Sequence, residues 1–237
     1  MSKSLQLLDF CVWVPGLPAA LSSSLNEHNV CTPDASVPKL SFLPLMQRRR
    51  LSPLGRVVMA SLYPLYERNR TLITERSACV FASRWGDISL TVKSLEELTA
   101  EKTLSPTAFS TSVHNAIGGL FSLFEHFHGN VTSLSGGAAG FSAALFEAYG
   151  LIQEHDSVLV SLYEDQTPNE FLAWHEAPGC PYAITLLLSS AGGTPLVPFS
   201  STIKPAKPHN SVEDFLQFLN AEKETFTDQD GFSWKRA

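Results

Sequence analysis

Cysteine is scarce: Cys11, Cys31, Cys79 and Cys180 stand far apart in 237 residues, with no CxxC pair. That spacing excludes a zinc ribbon and a disulfide scaffold, and it favours reduced thiols in a cytoplasm. Positive charge is also short. The 17 Lys and Arg against 23 Asp and Glu give a net charge of −6, which argues against a general nucleic-acid binder. No apolar run is long enough to span a bilayer. Leu5 to Val14 is interrupted by Asp9 and stopped by Pro15, and it is not a secretory signal. A metal ligand set is missing as well, since His114, His126 and His128 are spaced by twelve and two, without an i,i+4 pair or an acidic cluster. No internal repeat is visible. The run Gly136-Gly137-x-x-Gly140 lacks the spaced first glycine of a dinucleotide fingerprint. No cofactor is expected.

What remains is 44% hydrophobic and 17% charged, the composition of a globular protein with a generous core. Strand-like runs cover Leu5–Val14, Ser77–Ser83, Val131–Leu134, Ser157–Tyr163 and Ala183–Ser189. Helical runs alternate with them: 52–67 with Ser52 as N-cap, Pro53 at the first position and Pro64 as a kink, then 87–98, 116–127, 138–149 and 212–219. Residues 116–127 are apolar on nearly every face, which predicts a helix buried all round. The alternation predicts a single α/β domain over 1–237, with a long loop at about 15–45 and a charged tail at about 221–237.

The chain is organised around 128–150. A short buried strand ends at Leu134, Ser135-Gly136-Gly137 turns it sharply, and an apolar helix follows, with Ser135 as N-cap and Gly150 as its stop. Such a turn carries a nucleophile in many α/β enzymes, because its N–H groups converge on one point. Here the tip holds glycine and alanine. Ser133-Leu-Ser135-Gly-Gly137 is one residue short of a nucleophile elbow. Ser135 with Asp156 or Asp165 and His175 or His209 is the alternative, an α/β-hydrolase or acyltransferase-like enzyme. Losing the first glycine of a strained elbow weighs against it. The arginine run 48–50 could hold a phosphate, but as a solvated stretch it needs no partner.

Three segments, VFASRWGDISLTVKSLEEL, LSPTAFSTSVHNAIGGLFSLF and HGNVTSLSGGAAGFSAALFEA, resemble in order three blocks of the N-terminal half of β-ketoacyl synthases; RRRLSPLGRVVMASL is similar to a helix of the same family. The resemblance runs from about Asp9 to Ser189. It implies one half of a thiolase-type fold, a mixed and mainly parallel sheet covered by helices. Short members of this kind occur in bacterial type II pathways, including aryl-polyene clusters. The family's acyl-accepting cysteine falls on Gly137 or Ala138, and its two histidines belong to a second half that this sequence does not include. The resemblance therefore implies a non-catalytic, chain-length-factor-like partner of a full-length ketosynthase, touching acyl carrier protein only indirectly. It places Trp85, Ile88, Thr91, Val92, Leu95 and Phe109 along the acyl tunnel, with ordinary core as the competing reading of that stripe. It also places Gly129, Asn130, Val131, Thr132, Ser133 and Leu134, with Ile117, Leu120 and Phe121, at the dimer interface.

Overall fold

The computed structural model describes residues 3–15, 37–101, 103–137, 140–171, 180–200 and 211–237. Eight strands form one sheet: β1 (Leu5–Trp13), β2 (Ser77–Ala82), β3 (Asn130–Leu134), β4 (Ser157–Glu164), β5 (Tyr182–Ser189), β6 (Thr194–Phe199), β7 (Thr225–Thr227) and β8 (Ser233–Arg236). Their order is β3-β2-β4-β5-β1-β6-β8-β7. Only β2 with β3 and β2 with β4 are parallel. The pairs β4–β5, β5–β1, β1–β6, β6–β8 and β8–β7 are antiparallel. The expected mainly parallel sheet is thus corrected to a mixed, mostly antiparallel one. β5 enters between β4 and β1 against their direction, and from β6 the chain crosses past the place of β8 to β7, with the helix Ser211–Leu219 in the connection, before a hairpin brings β8 back between them.

The helices are α1 (Leu45–Arg50), α2 (Pro53–Arg68), α3 (Ile88–Glu101), α4 (Pro106–Ser112), α5 (Ala116–Glu125), α6 (Gly140–Leu151) and α7 (Ser211–Leu219). Two cores lie on opposite faces of the sheet. On one, Val80, Val160 and Leu186 meet α6, α7 and Trp234 of β8. On the other, Phe81, Leu159 and Leu187 meet α2 and α5. Alternate residues of a strand point to opposite faces, so the central strands are buried throughout, as doubly covered strands must be. In β1, Leu5 and Leu7 share a face with Phe10 and Val12. An extra residue between Leu7 and Asp9 breaks the register there and flips the alternation.

The local signals at 52–68 hold. Ser52 Oγ accepts the Gly55 N–H at 3.0 Å, Pro53 opens α2, and the helix continues through Pro64 to Arg68. α4 went unrecognised, although Ser105 caps it and Pro106 opens it in the same way. Four further expectations are corrected. α5 is not buried all round: Gly119 and Leu123 face out, Leu123 at 52% exposure. α6 runs past Gly150 to Leu151, so Gly150 is not its stop. β3 is not a buried strand; it forms the sheet edge and is half-exposed. The charged tail is folded, its β7–β8 hairpin placing Phe226 and Trp234 in the core. Of the predicted loop at 15–45, residues 16–36 lie outside the described residues, and its last residue opens α1.

Candidate functional site

The parallel strands β2, β3 and β4 deliver their C-terminal ends to one side of the sheet, where three loops are stitched together. The Ser83 N–H donates to the Leu134 carbonyl at 3.1 Å, and Ser135 Oγ donates to the Arg84 carbonyl at 2.8 Å. His114 Nε2 donates to the Ser83 carbonyl at 2.9 Å, which fixes the protonated nitrogen of that ring. Glu164, the last residue of β4, accepts from the Arg84 N–H at 2.5 Å and from Ser83 Oγ at 3.1 Å. Burial pushes its carboxyl up to about 7, and the hydrogen bonds from Arg84 and Ser83 only partly oppose this.

The same loops start α3. Asp87 Oδ1 accepts the Leu90 N–H at 3.2 Å and Asp165 Oδ2 the Ser89 N–H at 3.1 Å, two carboxylates at a helix N-terminus, where the macrodipole favours them. Burial raises the Asp87 carboxyl, and the Asp165 charge adds to the shift. Glu164 lies one residue past the strand that the apolar run Ser157–Tyr163 predicts, although β4 includes it. The signal was its place at the end of a strand of buried apolar residues.

At the turn, Gly137 has φ +57, with open space where a Cβ would project. A left-handed backbone is cheap for glycine and costly for other residues. At Gly136 a Cβ would stand 2.6 Å from the Cβ of Ala143, so the turn presses on α6. Ala138 lies outside the described residues. Ser135 is not an N-cap, since α6 begins at Gly140 and the Ser135 hydroxyl is used on Arg84. Nor does Asp156 reach it. Asp156 precedes β4, at the other end of the sheet, and pairs with Arg76 at 2.9 Å. Asp165 is near the turn, but it caps α3; His175 and His209 lie outside the described residues. Among the described residues no cluster of His, Cys, Asp and Glu could hold a metal.

Of the six residues expected along a tunnel, Ile88, Thr91, Val92 and Leu95 lie on α3, Trp85 just before it and Phe109 on α4, which packs on α3, and they do not form a core stripe. Ile88 is buried, Thr91 and Val92 are half-buried, while Trp85, Leu95 and Phe109 are exposed, Phe109 at 60%. Trp85 packs on Phe171, ring centroids 6.0 Å apart; Phe171 was not singled out from the sequence. The expected interface set divides. Asn130 to Leu134 lie along the outer edge of the sheet, where no strand of the described residues pairs with them. Ile117, Leu120 and Phe121 instead turn into this chain's own core, so the outward surface of α5 is made by other residues, Leu123 among them. Gly129 is needed internally, because a Cβ there would stand 2.3 Å from the Ser77 carbonyl oxygen.

The family model described as "Beta-ketoacyl synthase, N-terminal domain" matches residues 23–235. A search of curated proteins found no match. Among solved structures, the chain is similar to one of the ketosynthase ApeO in complex with its chain length factor ApeC from Xenorhabdus doucetiae. Identity is 28% and the TM-score 0.75, over 98% of this chain and 99% of that one. A β-ketoacyl synthase from Burkholderia phymatum STM815 matches at 13% identity and TM-score 0.61, over 94% of this chain and 71% of that one. The ishigamide ketosynthase/chain length factor matches at 14% and 0.61, over 84% and 68%; these last two share the fold alone. With the family match spanning nearly the whole sequence and the fold common to all three structures, the chain belongs to the β-ketoacyl synthase N-terminal domain family and has the thiolase-type ketosynthase fold.

Proposed function

We propose that this chain is a non-catalytic, chain-length-factor-like subunit that pairs with an active β-ketoacyl synthase and shapes its acyl tunnel, in type II synthesis of the aryl-polyene kind. The observation that carries this reading is the turn itself: Ser135-Gly136-Gly137-Ala138-Ala139-Gly140 offers no thiol where the family's resemblance places an acyl-accepting cysteine. Among the described residues, Cys11 and Cys79 are buried in strands and Cys180 lies beyond β4; Cys31 lies outside the described residues. Burial raises the Cys79 thiol far above its ordinary range, so it supplies no thiolate. Without a nucleophile no thioester forms, and the chain contributes shape instead.

A partner is supported by the surface beside the turn. Among the described residues β3 has no strand on its outer side, α5 lies against it, and α4 packs on both α5 and α3. Along these helices Leu95, Leu98, Phe109, Val113 and Leu123 are each more than 40% exposed. An open edge flanked by large apolar side chains suits a permanent partner and is a liability without one. The likeness to a ketosynthase–chain length factor complex points to the same kind of partner.

The test is co-expression with a ketosynthase that carries its own cysteine and histidines. The pair is expected to co-purify, with no acyl adduct on this chain by intact-mass spectrometry. Enlarging Thr91 to Phe is expected to leave the complex assembled and shorten the product, and Trp85→Ala to lengthen it. A stable monomer indifferent to the ketosynthase, or an acyl adduct on this subunit, would overturn the reading.

A further inference from the structure

Trp85 sits on the turn that leaves β2, and the donors of this turn converge on one side chain. Ser83 Oγ donates to Glu164 Oε2 at 3.1 Å and the Arg84 N–H to Glu164 Oε1 at 2.5 Å. The Trp85 backbone N–H is bonded to the same carboxyl. Three consecutive residues thus share one acceptor group, brought to them by the neighbouring parallel strand β4. Hydrogen bonds to a carboxylate are the strong ones, so the backbone that presents the donors is coupled tightly to it. The turn has little other latitude. Gly86, next after Trp85, is left-handed at φ +62, its N–H returns to Ser83 Oγ at 2.8 Å, and a Cβ there would stand 3.2 Å from His114 Cδ2. The Arg84 carbonyl accepts from Ser135 Oγ at 2.8 Å, which carries the same grip to the glycine turn. Beyond Glu164 the chain passes Asp165, whose carboxylate accepts the Ser89 N–H at 3.1 Å, and reaches Phe171, whose ring packs on the Trp85 indole. β4 and the segment after it therefore hold Trp85 twice, by its backbone and by its ring.

We infer that Glu164 is a specificity-determining positioning residue: its carboxyl fixes the Trp85 indole relative to the turn at 135–137, and so sets where the tunnel stops a growing acyl chain. The inference rests on the proposed reading of Trp85 as a tunnel residue. Trp85 is 42% exposed, so core packing does not fix its ring, which takes its place from its own backbone and from Phe171. An apolar side chain at 164 would fill similar space but would leave the Arg84 and Trp85 N–H groups without their acceptor, and the turn would shift to find another. Glu164 acts through Trp85 and meets no substrate itself.

The test compares the complex of this chain with a catalytic ketosynthase as wild type, Glu164→Leu, Glu164→Gln, Trp85→Ala and the double substitution Glu164→Leu with Trp85→Ala. Amide hydrogen exchange at Arg84 and Trp85 reads the grip itself. It is expected to quicken on the order of tenfold in Glu164→Leu, which loses the acceptor, and to stay near wild type in Glu164→Gln, which keeps one. Product length, read by mass spectrometry, is expected to move in Glu164→Leu towards that of Trp85→Ala and to be restored in Glu164→Gln. Adding Glu164→Leu to Trp85→Ala is expected to change the length no further, an outcome that general loss of fold would not give. If Glu164→Leu does not fold, Ser83→Ala, which removes one of the three donors, takes its place, with a smaller shift and the same dependence on Trp85. Equal exchange at 84 and 85 with and without the carboxyl overturns the inference. So does a product length that Trp85→Ala shifts and Glu164→Leu does not, or shifts that add in the double substitution. A Trp85→Ala product of wild-type length from an intact complex instead removes Trp85 from the tunnel and refutes the reading beneath the inference.

Discussion

Replacing Glu164 by Gln separates the electrostatic part of the site from its packing. In the folded chain the carboxyl is held at about 7 against an ordinary value of 4.5, with burial as the main cause. Between those values the folded state binds more protons than the unfolded one, so stability falls as pH rises from about 4.5 to 7 and is level above. Ionising the group costs roughly 3 kcal/mol over that window, at 1.36 kcal/mol for each tenfold change in proton affinity. Glutamine keeps the shape and carries no charge. Its carbonyl can still accept from the Arg84 N–H, and its amide can donate to Ser83 Oγ, which already accepts from the Gly86 N–H at 2.8 Å. Wild type and variant are therefore expected to be similar near pH 5, with the variant gaining on wild type by roughly 3 kcal/mol at pH 8. Urea unfolding at four or five pH values reads this directly. Subtracting the two curves cancels Asp87 and Asp228, whose carboxyls burial also raises. A difference that stays flat from pH 5 to 8 refutes the argument, since it would mean that water reaches Glu164 as freely as in the unfolded chain.

Trp234→Ala tests whether the C-terminal hairpin belongs to the core. The ring is fully buried, stacks on Phe146 at 4.8 Å between centroids and donates to Ser142 Oγ at 3.1 Å, so a loss of about 3–5 kcal/mol is expected in the urea midpoint; under 1 kcal/mol would make the hairpin an ornament. Ala221 sits at φ +64 after α7, where the Glu222 N–H closes back on the Gln217 carbonyl at 2.9 Å. Ala221→Gly should therefore stabilise by about 1 kcal/mol in thermal melts, and destabilisation would contradict the left-handed cap. Gly129→Ala drives a Cβ to within 2.3 Å of the Ser77 carbonyl oxygen and is expected to lose at least about 2 kcal/mol, measured as a lower melting temperature of the isolated chain. An unchanged melting temperature would show that the strand can retreat.

The elements legible in the sequence were those whose instructions are local. Ser52-Pro53 announces α2, and continuous apolar runs announce β2, β4 and β5 within a residue or two. What escaped depends on partners distant in the chain. Strand direction is invisible to periodicity, so nothing in Tyr182–Ser189 tells that β5 runs against β4. The C-terminal segment reads as charged because Lys223, Glu224, Asp228, Asp230, Lys235 and Arg236 crowd it. Its two decisive residues, Phe226 and Trp234, are opposite each other across a short hairpin, and alternation over three or four residues is too brief to register. The turn at 135–137 was found by its glycines, but its wiring was not. Ser135 serves the loop after β2, and that loop is held by Glu164 from a third strand.

The C-terminal segment also bears on where a partner can sit. α6 follows the turn and buries Phe141, Ala144, Leu145 and Ala148. Against this face the chain lays its own α7 and β7–β8, with Phe141 and Phe215 centroids 4.5 Å apart and Phe226 edge-on to both. A residue buried by its own chain is unavailable to another, so the α6 face recruits no partner through these side chains. The opposite end of the sheet is not closed in this way. There β3 keeps its outer edge, and Leu123, Phe109 and Leu95 remain exposed along α5, α4 and α3. Completing that edge would bring a second protein's strand beside Asn130–Leu134, next to the turn and to Trp85. On the proposed reading, a subunit whose turn carries glycine where the resemblance places a cysteine can act on a neighbour's chemistry only if it sits that close, which ties the open edge of β3 to the turn beside it.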